Sequence, residues 1–149
     1  MDAHGYAELI NRVLSTFHYL ENKPHFPYPI EIPESNPQFL RFKADILLQN
    51  DLCLSVNETA IFDEDGIAER SFSYDFRNIN TNKMTWRIDN HGQRQSIDCP
   101  CHVHPNPEDE KQRNECFQDS KTTIFPYAIG CVRKFYEEEH QDWEVNPNE

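Results

Sequence analysis

Apolar residues recur at helical spacing near the start of the chain. Tyr6, Leu9, Ile10, Val13, Leu14, Phe17 and Leu20 fall on one stripe, which predicts an amphipathic helix over residues 6–20. Pro24, Pro27, Pro29, Pro33 and Pro37 come next. Each fixes φ and removes a backbone donor, so residues 24–37 are expected to form an extended connector without regular structure. From residue 38 the period changes to two. Leu40, Phe42, Ala44, Ile46 and Leu48 alternate with Arg41, Lys43, Asp45 and Leu47. Past the turn-forming Asn50-Asp51, Leu52, Leu54, Val56, Ala60 and Phe62 share a face opposite Cys53, Ser55, Asn57 and Thr59. Beyond Asp63-Glu64-Asp65-Gly66, Phe72, Tyr74 and Phe76 alternate with Ser71, Ser73, Asp75 and Arg77. A further turn over 78–83 leads to Met84, Trp86 and Ile88, alternating with Thr85, Arg87 and Asp89. Four alternating runs over residues 38–90, joined by short polar turns, predict an antiparallel meander of about four strands with one apolar face.

Residues 91–121 lack apolar periodicity and read as a long loop with a short turn of helix, the kind of segment that carries function in a compact domain. Helical spacing returns over 122–141 with Ile124, Phe125, Ala128, Cys131, Val132, Phe135 and Tyr136. Two amphipathic helices, one at each end, are suited to cover the apolar face of the sheet, which makes the expected fold class α+β. Residues 1–141 are read as a single domain and 142–149 as an acidic tail.

Composition narrows the function. The chain has 149 residues, enough for one core, and its 10 Phe, 6 Tyr and 2 Trp are aromatic content that disordered segments lack. No apolar run approaches a membrane span and no secretory signal pattern stands at the start, so a soluble cytoplasmic protein with no membrane partner is expected. Lys and Arg number 14 against 26 Asp and Glu, a net charge of −12. Six of those acids lie in 137–149, which holds no Lys or Arg; the rest carries 14 against 20, or −6. That balance disfavours RNA as a partner, although residues 38–94, with seven basic and nine acidic side chains, are close to neutral.

The five cysteines are Cys53, Cys99, Cys101, Cys116 and Cys131. Their odd number speaks against a disulfide framework, and Cys53 and Cys131 read as core thiols. The chemically suggestive cluster is Cys99-Pro100-Cys101-His102-Val103-His104. An imidazole near its ordinary pKa of about 6.5 suits acid–base work at neutral pH, so His102 and His104 are candidate catalytic groups. Arg87 is placed to stabilise developing negative charge, with Asp89, two residues on and on the same strand face, to orient it or a histidine. Glu58 is the remaining catalytic candidate: it falls in phase with Leu54, Val56 and Ala60, where a lone carboxylate is costly to bury. A partner, a position past the core margin, or a bulge that turns it to water would each relieve that cost. A second reading makes the same loop a metal site, since thiolate and imidazole are the preferred zinc ligands. Its ligands would be Cys101, His102, His104 and either Cys116 or His91, in a noncatalytic zinc- or protein-binding module. The C-x-C and H-x-H steps differ from the C-x2–4-C knuckle of structural zinc sites. No cofactor is required by the catalytic reading.

Taken in order, these segments resemble the TumE family, the toxin components of prokaryotic toxin–antitoxin pairs. The resemblance rests on Arg41-Phe42-x-Ala44-x-Ile46, then Asn50-Asp51-Leu52-x-Leu54-x-Val56-x-Glu58 and Phe72-x-Tyr74-x-Phe76. Trp86-Arg87-Ile88-Asp89-Asn90 and Cys101-His102-Val103-His104 complete it ahead of the final helix. The chain differs from that pattern in having Cys101 at the first position of a histidine cluster, Asp75 between the aromatics, and His91-Gly92 after the asparagine. The resemblance implies growth inhibition and a cognate antitoxin as partner. By extension from other toxins it suggests RNA-directed hydrolysis.

Overall fold

A computed structural model describes residues 1–21, 28–90, 101–104, 116–117 and 125–139. Helix α1 spans Ala3–Ser15 and buries Ala3, Tyr6, Ile10 and Leu14, so the predicted stripe faces the core on a helix that starts three residues and ends five residues earlier than expected. The Asp2 side chain caps it by accepting from the Gly5 amide at 2.8 Å. The helix ends before Phe17 because Ser15 and Thr16 turn their hydroxyls back onto the Arg12 carbonyl, while Phe17 and Leu20 remain buried beyond its end.

Among the described residues seven strands follow one another in space in chain order: β1 (Ile30–Glu31), β2 (Phe39–Leu48), β3 (Leu52–Asp63), β4 (Gly66–Asn78), β5 (Met84–Asp89), β6 (Cys101–His104) and β7 (Cys116–Phe117). All pairings are antiparallel, so the predicted meander is observed and its four runs are β2 to β5. The turn residues act as their chemistry allows. Asn50 and Asp51 take φ of 64° and 63° between β2 and β3, and Gly66 takes 115° between β3 and β4, left-handed conformations that these residue types tolerate best.

The three additional strands were not expected. In the proline-rich connector, Ile30–Glu31 pairs with Phe42 and Arg41. Proline is tolerated beside a short edge strand, where the missing donor faces no neighbour. Within the stretch read as a loop, Cys101–His104 pairs with β5 and Cys116–Phe117 with β6.

The inner face of the sheet carries Leu40, Phe42, Ile46, Leu54, Val56, Phe72, Tyr74, Phe76 and Ile88, all buried. Helix α1 and helix α2 (Phe125–Lys134) cover it, with Phe125 set edge-on to Phe42 and Tyr74 at ring separations of 5.6 and 5.9 Å. A π-helical turn, Phe135–Glu139, continues α2 and stacks Tyr136 on Tyr19 at 4.4 Å. The outer face is polar, so the two faces have separate chemistry. Cys53 is buried, yet it belongs to this outer face rather than to the core, while Cys131 packs partly buried against the core. No helix among the described residues is long and apolar enough to cross a membrane.

Candidate functional site

Glu58 is 0% exposed on the inner face, so its charge must be met by protein groups. The Tyr74 hydroxyl donates to Oε1, the Tyr6 hydroxyl donates to Oε2, and Arg70 Nη2 lies 3.1 Å from Oε2. The same nitrogen donates to the Tyr6 and Tyr74 hydroxyls at 2.9 and 2.8 Å. Arg70 stands two residues before Phe72 on β4 and shares its face. Its guanidinium carbon sits 4.7 Å from the Phe72 ring centre, an attractive cation–π distance. Burial, reinforced by the negative Glu58, pushes both tyrosine hydroxyls well above their usual pKa and keeps them as donors. Burial opposes the Arg70 charge, but the facing Glu58 carboxylate outweighs it and holds the guanidinium charged. This cluster is closed, with both side chains of its ion pair 1% exposed or less.

The other candidates lie across the sheet from it. The strand register aligns two rows on the outer face: Asp75, Arg87 and His104 in one, and Ser73, Asp89, His102 and Cys116 in the next. Neighbouring positions in a row are about 4.8 Å apart. Arg87 and Asp89 share that face because they are two apart on β5. Their side chains are paired, with Arg87 Nε 2.7 Å from Asp89 Oδ2. Asp89 is 4% exposed and Arg87 24%, so Arg87 is the member of the pair that meets solvent. Asn90 serves the backbone: its Oδ1 accepts from the Phe72 amide at 2.9 Å and its Nδ2 donates to the Arg70 carbonyl at 2.7 Å, which holds the end of β5 against β4. Cys101 pairs with Phe117, and the two-residue period sets it on the opposite face from positions 102, 104 and 116. His91 lies outside the described residues. Among those residues no group of three or more His, Cys, Asp or Glu is arranged to hold a metal ion.

The register thus brings His102, His104, Arg87 and Asp89 together and leaves Glu58 on the other side of the sheet. Two histidines and an arginine at register positions of one sheet face are residue types that can move protons and offset negative charge. Asp75 joins this group, and only the strand pairing reveals it. Burial raises its carboxyl pKa; the positive Arg87 and Arg77 oppose that and Asp89 adds to it. One of its oxygens, Oδ1, is buried with no hydrogen-bond partner among the described residues.

A folded pKa above the unfolded value, about 3.9 for aspartate, means that folding favours the protonated form. The stability this contributes is full below the unfolded value and is lost as pH rises through the folded one. Asp75→Asn is therefore expected to unfold at higher urea than the parent at neutral pH, with the gap closing toward pH 4. Equal midpoints at neutral pH would refute the buried-carboxylate account.

Arg70, Tyr6 and Tyr74 escaped the sequence reading as partners of Glu58. A signal was present: Arg70 is a cation in phase with Phe72, Tyr74 and Phe76, just as Glu58 is an anion in phase with Leu54 and Val56.

Comparison with known families finds that the family described as Toxin TumE matches residues 16–129, well over half of the chain. Searches of curated proteins and of solved structures each found no match.

Proposed function

The chain belongs to the TumE toxin family, and from that premise we propose that it is a toxin acting on RNA through the outer face of β5 and β6, held in check by a cognate antitoxin. The observation that carries this reading is the register that sets His102 opposite Asp89 and His104 opposite Arg87. One imidazole takes the proton of a ribose 2′-hydroxyl as that oxygen bonds to phosphorus. The other gives a proton to the departing 5′-oxygen as its bond to phosphorus breaks. Arg87 offsets the charge that builds on the phosphoryl oxygens, and Asp89 holds Arg87 in place. In this scheme Glu58 serves the fold.

The test is bacterial growth under tightly induced expression, with His102→Ala/His104→Ala at matched soluble level. The parent is expected to arrest growth and the variant to permit it, since loss of acid–base groups costs about 10²–10⁴ in rate. Arrest by both would sink the histidine assignment, and arrest by neither would sink the toxin reading.

A zinc- or protein-binding module is the second reading. It is favoured by positions 102, 104 and 116 lying on one face, to which His91 would add a ligand, whereas the strand period sets Cys101 on the opposite face. One equivalent of zinc that survives a chelator and leaves on unfolding would establish it.

A further inference from the structure

The outer face has a second feature, at its far edge. Pro29, Ile30, Glu31, Arg41 and Lys43 line an open cleft of about 360 Å³ where β1 meets β2. Arg41 and Lys43 are exposed, and among the described residues neither is in an ion pair. Among the described residues the other two outer-face cations each stand beside a carboxylate: Arg77 faces Asp45 at 3.8 Å and Arg87 holds Asp89 at 2.7 Å. Asp45 also accepts from Ser55 at 2.7 Å. Asp75 lies between Arg87 and Arg77. Glu31, opposite Arg41 in the register, is the one carboxylate lining the cleft among the described residues. On this face Asp45, Asp75 and Asp89 each lie beside an arginine while Glu69 is exposed, and at the cleft two cations, Arg41 and Lys43, face Glu31.

One cross-strand row connects the cleft to the proposed site. Lys43 pairs with Asn57, Asn57 with Ser73, Ser73 with Asp89, and Asp89 with His102. The row is polar throughout, no register shift interrupts it, and its four steps span roughly 19 Å. Neither helix covers this face. A strand of nucleic acid lying along it can set one phosphate at Arg41 and Lys43 while another stands at Arg87.

We propose that the Arg41–Lys43 cleft is a phosphate-binding subsite that holds single-stranded RNA at a distance from the reacting phosphate. This rests on the RNA reading above. It explains how a chain of net charge −12 engages a polyanion: the attraction is local, and the contacts are to the backbone and carry no sequence information.

The test uses the full chain, a labelled single-stranded RNA oligonucleotide, single-stranded DNA of the same sequence as an uncleaved probe, and a dinucleotide. Arg41→Gln/Lys43→Gln is compared with the parent and with Arg41→Lys/Lys43→Arg. Both positions are exposed, and circular dichroism checks the fold. The glutamine variant is expected to bind both oligonucleotides more weakly, with the slope of log affinity against log salt reduced by about 1.4 for two lost contacts. On the long RNA its loss falls on KM, while its kcat on the dinucleotide is unchanged. The charge-preserving variant should bind as the parent does. Unchanged affinity and slope would overturn the subsite. A parent that binds through these residues but cleaves nothing would uphold the subsite and remove the hydrolase reading. Cleavage of both substrates without any effect of the variant would do the reverse.

Discussion

Arg70→Ala is expected to lower the stability of the protein by about 3–5 kcal/mol. The reason is what the substitution leaves behind. Glu58 is 0% exposed, and Arg70 is the cation that faces it, at 3.1 Å. Removing the guanidinium leaves a carboxylate with two tyrosine hydroxyls and no counter-charge. It also removes the donor shared by Tyr6 and Tyr74 and the cation over Phe72. The pair itself contributes less than its removal costs, because both charges had to be desolvated. The double variant Glu58→Leu/Arg70→Met should therefore recover most of the loss. Urea unfolding decides it: an Arg70→Ala midpoint equal to the parent's would show that water reaches Glu58.

Phe125→Ala should cost a similar amount, about 3–5 kcal/mol. Phe125 is 0% exposed at the first turn of α2, and its ring meets Phe42 from β2 and Tyr74 from β4. It is thus the point at which the second helix keys into the sheet. The sheet is held by its own ladders and cannot move in to fill the space, so a cavity remains and the lost contacts are not replaced. Phe125→Leu, which keeps much of the volume, should lose far less. If both variants unfold at the parent's midpoint, α2 contributes little to the core.

The sequence made the long strands legible because β2 to β5 alternate cleanly, with charged or hydroxyl residues between apolar ones. Their order was legible too, since turns such as Asn50-Asp51 and Asp63–Gly66 leave too little chain for anything but neighbours to pair. Strand β6 was hidden. It has four residues, only Val103 is apolar, and the pattern needed to recognise a period of two is absent. The site was half visible for a related reason. The two-residue spacing of Arg87 and Asp89, and of His102 and His104, put each pair on one face. That the two pairs share the same face, with Asp75 beside them, depends on a register between strands that no local pattern encodes. Glu58 announced itself as an anion out of place. The helix-borne partner Tyr6, fifty-two residues earlier in the chain, could not be read from spacing.

The distance along the chain between Tyr6 and its partners also orders events during synthesis. Helix α1 leaves the ribosome before β3 and β4 exist, and Tyr6 has no Glu58 to meet until residue 58 has emerged and no Arg70 until residue 70 has. The hairpins from β2 to β5 zip up one after another as they appear, each against the strand just made. Their apolar face still has to wait for α2, more than fifty residues after Phe72. At about 5–20 residues per second that interval lasts several seconds. Throughout it the nascent chain presents a growing sheet with half its cover missing. Its solubility over those seconds depends on whatever binds that face in place of α2.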